Sequence, residues 1–134
     1  LTEQHIHSKG CNCFTYESAK QFELKAKEHS FDEKKSGVIK DAICLHMNGY
    51  IDHSDPAEIT LLQQGASCDV ISDGLYRLPV SFRNEILEKY PRKQFNKEFI
   101  ELIDLESKNV PNSRTSLLNS LGLPLMIKSN LYKE

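Results

Sequence analysis

Apolar residues recur at steps of three and four along most of this chain, and nowhere in sustained alternation. The first spacing marks one face of a helix and the second one face of a strand, so the pattern predicts an all-α fold, a compact helical bundle. The densest stretch runs from Val38 to Ile71 and reads as two consecutive helices joined by a polar loop. The first carries Val38, Ile39, Ala42, Ile43, Leu45 and His46; the second carries Ile59, Leu62, Ala66, Asp69 and Val70. His46 falls in helical step with Ile39, Ala42 and Ile43, and Asp69 with Leu62 and Ala66. Each helix is therefore expected to set one ionisable residue on its apolar face. A carboxylate taken out of water needs a partner, either a metal ion or a cationic group.

The flanking elements follow the same rules. Thr15 is expected to cap a helix running to about His29, with Ala19, Phe22 and Ala26 buried and Glu17 and Glu23 outside. Ser30 to Ser36 is a charged connection whose Asp32 and Glu33 suit the start of the next helix. Gly49 is a natural stop for that helix, and Tyr50, Asp52 and His53 occupy the loop after it. Asp55-Pro56 opens the Asp69 helix, and Asp73-Gly74 ends it. Ser81 is expected to cap a short helix to Tyr90 with Phe82, Ile86, Leu87 and Tyr90 inside. Phe95, Phe99, Leu102 and Ile103 define another, ending before Pro111. Asn112 or Ser113 begins a last helix with Leu117, Leu118 and Leu121, closed by Gly122 and Pro124. Leu123 to Ile127 is an apolar tail expected to pack back on the body.

Composition narrows the class. The chain has 134 residues, 39% hydrophobic and 27% charged, which suits one globular α-helical domain over 1–134 rather than a disordered segment. The net charge of −2 gives no basic face for nucleic acid. No apolar run is long enough to span a bilayer, and Leu1 to Gly10 lacks a signal-peptide core. The chain does not begin with Met, which suggests a processed or truncated product. Cys44 and Cys68 sit beside apolar helical positions, and buried reduced thiols in a cytoplasmic protein are the simplest reading of them.

Most catalytic patterns are missing. There is no Gly-rich phosphate loop, no G-x-S-x-G elbow and no helical H-E-x-x-H. Cys44 and His46 are two apart and do not share a helix face. His5, His7, Cys11 and Cys13 alternate as soft ligands on an extended segment, but their spacing matches no usual zinc pattern; residues 1–13 read as a mobile or extended segment. Arg77, Arg83, Arg92, Lys93 and Lys97 cluster around the Tyr90-Pro91-Arg92 corner, either as a solvated face or as an anion site.

Several short motifs share an order with a known family. Ala42-Ile43-Cys44-Leu45-His46, then Pro56-Ala57-Glu58, then Gly65-Ala66-Ser67-Cys68-Asp69-Val70-Ile71 resembles the C-terminal half of the HD-domain metal-dependent hydrolases, closest to the cyanamide-hydratase-like branch. Phe14 and Glu17-Ser18-Ala19 upstream, and Tyr90-Pro91-Arg92 with Phe95 downstream, extend the resemblance over roughly Leu1 to Asn112. It implies an all-helical fold, one or two divalent metals (Zn, Fe, Mn or Ni) and hydrolysis or hydration of a small nitrogen compound or phosphate ester. Under it Asp69 matches the late metal-binding Asp. His46 matches a later His that joins the metal or serves catalysis, and His53 and Arg92 would line the substrate. The chain departs from the family in lacking the His-Asp doublet: Asp52-His53 is reversed and lies in another segment. In the family the doublet falls just before the position of Leu1.

Two functions follow. The first is a metal-dependent hydrolase, truncated or divergent, with a small-molecule substrate. Asp69 and His46 give two ligands where a catalytic metal typically needs three and an open position. The second is a non-catalytic helical binding or oligomerisation module that kept the scaffold without the metal site. Apolar surface left by absent helices would favour a homo-oligomer.

Overall fold

Local chemistry sets most helix ends. The structure, a computed structural model, describes residues 13–50 and 52–132. Among them are seven α-helices and one 3-10 turn, with no strand, so the fold is all-α. The helices are α1 (Phe14–Glu28), α2 (Glu33–Leu45), α3 (Ala57–Ile71), α4 (Val80–Lys89), α5 (Phe95–Asn109), α6 (Arg114–Ser120) and α7 (Leu123–Lys128); Leu75–Arg77 is the 3-10 turn. The chain divides into two compact units, Leu1–Ala66 with Asn112–Arg114 and Ser67–Pro111 with Thr115–Glu134.

In the first unit α1 and α2 pack side by side. The contact layer is built from small side chains: Cys13, Thr15, Ala19, Ala26, Ala42 and Cys44 are all buried. Short side chains let two helix backbones approach closely, which replaces bulky apolar burial with dense backbone packing. Thr15 is not the cap expected of it. The N-cap is Cys13, with extended backbone and a carbonyl that accepts from Tyr16 N at 2.9 Å. Thr15 is the second residue of the helix and donates its buried hydroxyl to Cys13 Sγ at 3.3 Å. Burial in the helix contact, rather than capping, determines its place.

The end of α1 is a Schellman turn. Phe31 N donates to Ala26 O at 2.8 Å and Ser30 N to Lys27 O at 3.2 Å, with Ser30 at φ 51°. The left-handed position usually falls to glycine, because a Cβ there is strained. Asp32 then caps α2 by accepting Lys35 N at 2.8 Å, as its position in the sequence suggests.

The C-terminus of α2 satisfies every carbonyl of its last turn. His46 N donates to Ala42 O at 3.0 Å, and Asn48 N to Leu45 O at 2.8 Å. The His46 ring nitrogen Nδ1 donates to Ile43 O at 2.7 Å, and Arg114 Nη1 to Cys44 O at 2.8 Å. With its carbonyls taken, α2 ends at Leu45, four residues before the Gly49 stop expected from sequence. Pro56 opens α3 as expected, its carbonyl accepting Ile59 N at 3.0 Å. The buried face of α3 is Ile59 and Gln63; Leu62, expected inside, is 44% exposed. Gln63 displaces it by donating Nε2 to Asn48 O at 2.7 Å, which ties α3 to the loop after α2.

In the second unit Leu75, Ile103, Ile127 and Tyr132 form the buried apolar set. Gly74, at φ 72°, turns the chain from α3 into the 3-10 turn that buries Leu75. Pro79, not Ser81, is the N-cap of α4. The fixed φ of proline suits a helix start, so Ser81 falls within the first turn. No residue of α4 is fully buried, and Phe82 and Tyr90, expected on its inner face, are exposed. Ile103 anchors α5, while Leu102 is 60% exposed. Phe95 and Phe99 stack with centroids 5.2 Å apart. The helix before Gly122 ends at Ser120, as expected, but it is not the last one. Gly122 takes φ 96° and Pro124 sits in the first turn of α7, which packs on α5 with Ile127 fully buried. The apolar tail therefore packs back, as a helix.

The strain at Ser30 gives a direct check. Ser30→Gly is expected to stabilise the protein by about 0.5–1 kcal/mol, read as a higher urea midpoint at unchanged slope. An unchanged or lower midpoint would contradict the αL assignment.

Candidate functional site

Asp69 lies in the last turn of α3 with its side chain 56% exposed, not on a buried apolar face. Its turn is held at Asp69 and Val70 by Asn130. The carboxylate pairs with Arg92, whose guanidinium Nη1 donates to Asp69 Oδ1. The burial is lopsided: the Arg92 side chain is only 5% exposed. Its second amino group donates to Asn96 Oδ1 at 3.1 Å. The cation lies 4.5 Å from the Phe95 ring centroid and 5.5 Å from that of Tyr132. Aromatic faces attract a cation, and more strongly away from water. Nε is buried and finds no hydrogen-bond partner among the described residues.

The surroundings are ordered by residues that sequence reasoning missed. Asn130 donates Nδ2 to Asp69 O at 2.6 Å and to Val70 O at 2.8 Å, serving as the C-cap of α3 from the far end of the chain. Its Oδ1 accepts Ser72 Oγ at 2.6 Å and Tyr132 N at 2.8 Å. Ser72 Oγ in turn accepts Leu131 N at 2.8 Å. The Tyr132 hydroxyl lies beside the Cys68 thiol, and burial raises the pKa of both. Nothing in the local pattern announces such a cap, because donor and carbonyls are some sixty positions apart.

His46 belongs to the first unit. It is half-buried at the C-cap of α2, with the Phe14 ring edge-on at 6.4 Å. A carbonyl can only accept, so the bond to Ile43 O puts a proton on Nδ1 and leaves Nε2 as the open nitrogen. His53 is exposed in the loop after α2. Asp52 beside it accepts Ser54 Oγ at 2.6 Å and Ser54 N at 2.9 Å; the hydroxyl bond first, then the backbone bond, lowers its pKa. The structure therefore brings Asp69 and Arg92 together, and places His46 and His53 in the other unit.

The cationic stretch disperses into separate partners. Arg77 lies against Tyr76, Arg83 donates to Leu78 O at 2.8 Å, and Arg92 holds Asp69. A cavity of about 50 Å³ beneath the loop after α2 is lined by Asn48, Asp52, Asp55 and Gln63, room for water rather than for a substrate. A wider groove of about 500 Å³ between α1 and α2 is lined by Glu23, Lys27, Phe31, Glu33 and Lys40. Neither is lined by His46, Asp69 or Arg92.

No family model matches the chain, and neither does any curated protein. Among the described residues no group of three or more His, Cys, Asp or Glu is placed to hold a metal ion. A guanidinium on Asp69 is also a poor neighbour for a divalent cation, since the like charges repel at short range. The described residues do not fit a resident metal at Asp69. His5, His7 and Cys11 lie outside the described residues, and the fourth member of that set, Cys13, is buried in the α1 contact.

Two measurements check this geometry. Asp69→Ala leaves a buried guanidinium without its carboxylate and is expected to cost about 1–3 kcal/mol, discounted because Asp69 is half in water. Arg92→Met, which removes the buried charge itself, is expected to cost less, and the double variant less than the sum of the two. Strict additivity would mean that the pair is not coupled. The second check is pH. Burial raises the pKa of Cys44 and Cys68 in the folded protein. Their contribution is fully present below the unfolded thiol value of about 8.5 and is lost as pH rises through the folded values. Stability from urea midpoints is therefore expected to fall as pH rises above the unfolded thiol value of about 8.5, and to fall less in Cys44→Ala. An equal fall in the variant would contradict the assignment.

Proposed function

We propose that this chain is a non-catalytic α-helical module that acts by association, with a second copy of itself as the partner, on a scaffold of HD-domain type. The observation that carries this reading is the Asp69 carboxylate. The residue that would hold the metal is instead the counter-ion of Arg92. Support for association comes from the surface. Leu61, Leu102, Leu105, Leu117, Leu121, Leu125 and Leu131 are each more than half exposed. Burying such a side chain fully is worth about 1.5–3 kcal/mol, and six of the seven belong to the second unit. No helix of the described residues is long and apolar enough to cross a membrane.

One observation favours the hydrolase as a second reading. With Nδ1 of His46 fixed on a backbone carbonyl, Nε2 is left without a partner among the described residues, the arrangement by which proteins orient a metal-binding or proton-transferring imidazole. In this reading His46 positions substrate or passes a proton, and a divalent metal bound elsewhere would supply activated water.

Metal content and mass separate the two. The association module is expected to purify without stoichiometric Zn, Fe, Mn or Ni and to sediment as a concentration-dependent dimer or larger species, with Leu102→Glu or Leu121→Glu shifting it toward monomer. Stoichiometric metal lost on Asp69→Asn, or a strictly monomeric wild-type protein, would overturn it.

A further inference from the structure

The residues after α7 do more than follow it. Ser129 closes α7, and Asn130, Leu131 and Tyr132 then lie along the C-terminus of α3. Through Asn130 they supply the donors for the carbonyls of Asp69 and Val70. Through Tyr132, 8% exposed, they cover two groups at once: its ring faces the Arg92 guanidinium and its hydroxyl meets the Cys68 thiol.

We infer that residues 129–132 form a releasable clasp over Arg92 and Cys68: closed, it hides a cation and a thiol; open, it presents both on one surface beside Asp69. Two features make it releasable rather than fixed. First, its grip is mostly polar: the bonds to Val70 O and among Ser72, Asn130 and Tyr132 N are half-buried, and two more lie in water. The bonds from Asn130 to Asp69 O and from Leu131 N to Ser72 are exposed, and Leu131 is 73% exposed, so Tyr132 alone contributes apolar burial. Segments held by exposed hydrogen bonds and few buried apolar contacts open at the low end of the stability range. Second, the closed state carries a cost of its own. Arg92 Nε is shut off from water with no partner among the described residues, and opening would hydrate it. Opening does not require the Asp69–Arg92 pair to break. That pair, Asn96 and the Phe95 ring would remain around the guanidinium while the Tyr132 side opens.

Cys68 serves as the reporter. Its thiol is half-buried under Tyr132, and burial first of all raises its pKa, so it reacts slowly while covered. Cys13 and Cys44 are buried in the other unit and act as internal controls. The full chain is treated with N-ethylmaleimide at neutral pH, and labelling is followed for each cysteine by peptide mass spectrometry. Asn130→Ala is expected to speed labelling of Cys68 roughly tenfold while Cys13 and Cys44 keep their wild-type rates. Tyr132→Phe, which keeps the ring over Arg92 but loses the hydroxyl, is expected to give a smaller rise. Unchanged labelling of Cys68 in Asn130→Ala, or an equal rise at Cys13, Cys44 and Cys68, would overturn the clasp. The first outcome means that the segment does not cover the thiol, and the second that it opens only with the whole fold.

Discussion

A guanidinium cannot be left in a nearly dry site without an opposing charge, and much of the second unit is arranged to meet that demand. Arg92 is placed by the corner after α4 and by the start of α5. Phe95 and Tyr132 give it aromatic faces, Asn96 an acceptor, and Asp69 the counter-charge. Asp69 in turn is held because its own turn of α3 is capped from outside by Asn130. A cation, a helix end and the C-terminal segment are thereby linked through three side chains. Net stabilisation from such a pair is modest, because desolvation offsets most of the Coulomb attraction. Its larger effect is on orientation: the carboxylate that a metal would need is already committed.

Helix ends carry comparable weight in the first unit. The last four carbonyls of α2 are met by two backbone donors, an imidazole and a distant arginine. That places His46 by a capping requirement. An imidazole anchored in this way is a satisfied histidine, and the free Nε2 is what remains for any further role. The small-residue contact between α1 and α2 gives this unit density without large side chains, which is consistent with how few big apolar residues it buries.

Helical class, the Asp32 cap, the opening of α3 at Pro56 and the break at Gly74 were legible because each rests on interactions within a few residues. A cationic partner for Asp69 was among the options read from the sequence, but for the wrong reason: the buried member of the pair is Arg92, from the visible basic stretch, while Asp69 is half in water. The pairing itself was not legible, since nothing local distinguishes Arg92 from Arg77 or Arg83. The buried face of α3 was misjudged because Gln63 is drawn inward by a carbonyl fifteen residues away, which a hydrophobic count cannot register. Leu62, Phe82 and Leu102 kept helical spacing yet stayed in water. Periodicity shows which residues share a face, and only tertiary packing decides which face is covered. Asn130 and Tyr132 carried no signal, because a cap delivered across the chain has no sequence spacing of its own.

The central claim is that Arg92, and not a metal ion, is the partner of Asp69. Nitrogen-15 NMR of the arginine side chains tests it most directly. The account predicts one guanidinium, assigned to Arg92 by its absence in Arg92→Met, with slowly exchanging, individually resolved Nη–H signals that are unaffected by added Zn²⁺ or Mn²⁺ and are averaged in Asp69→Ala. A freely exchanging Arg92, or one whose signals shift as Asp69 takes up stoichiometric metal, would contradict it.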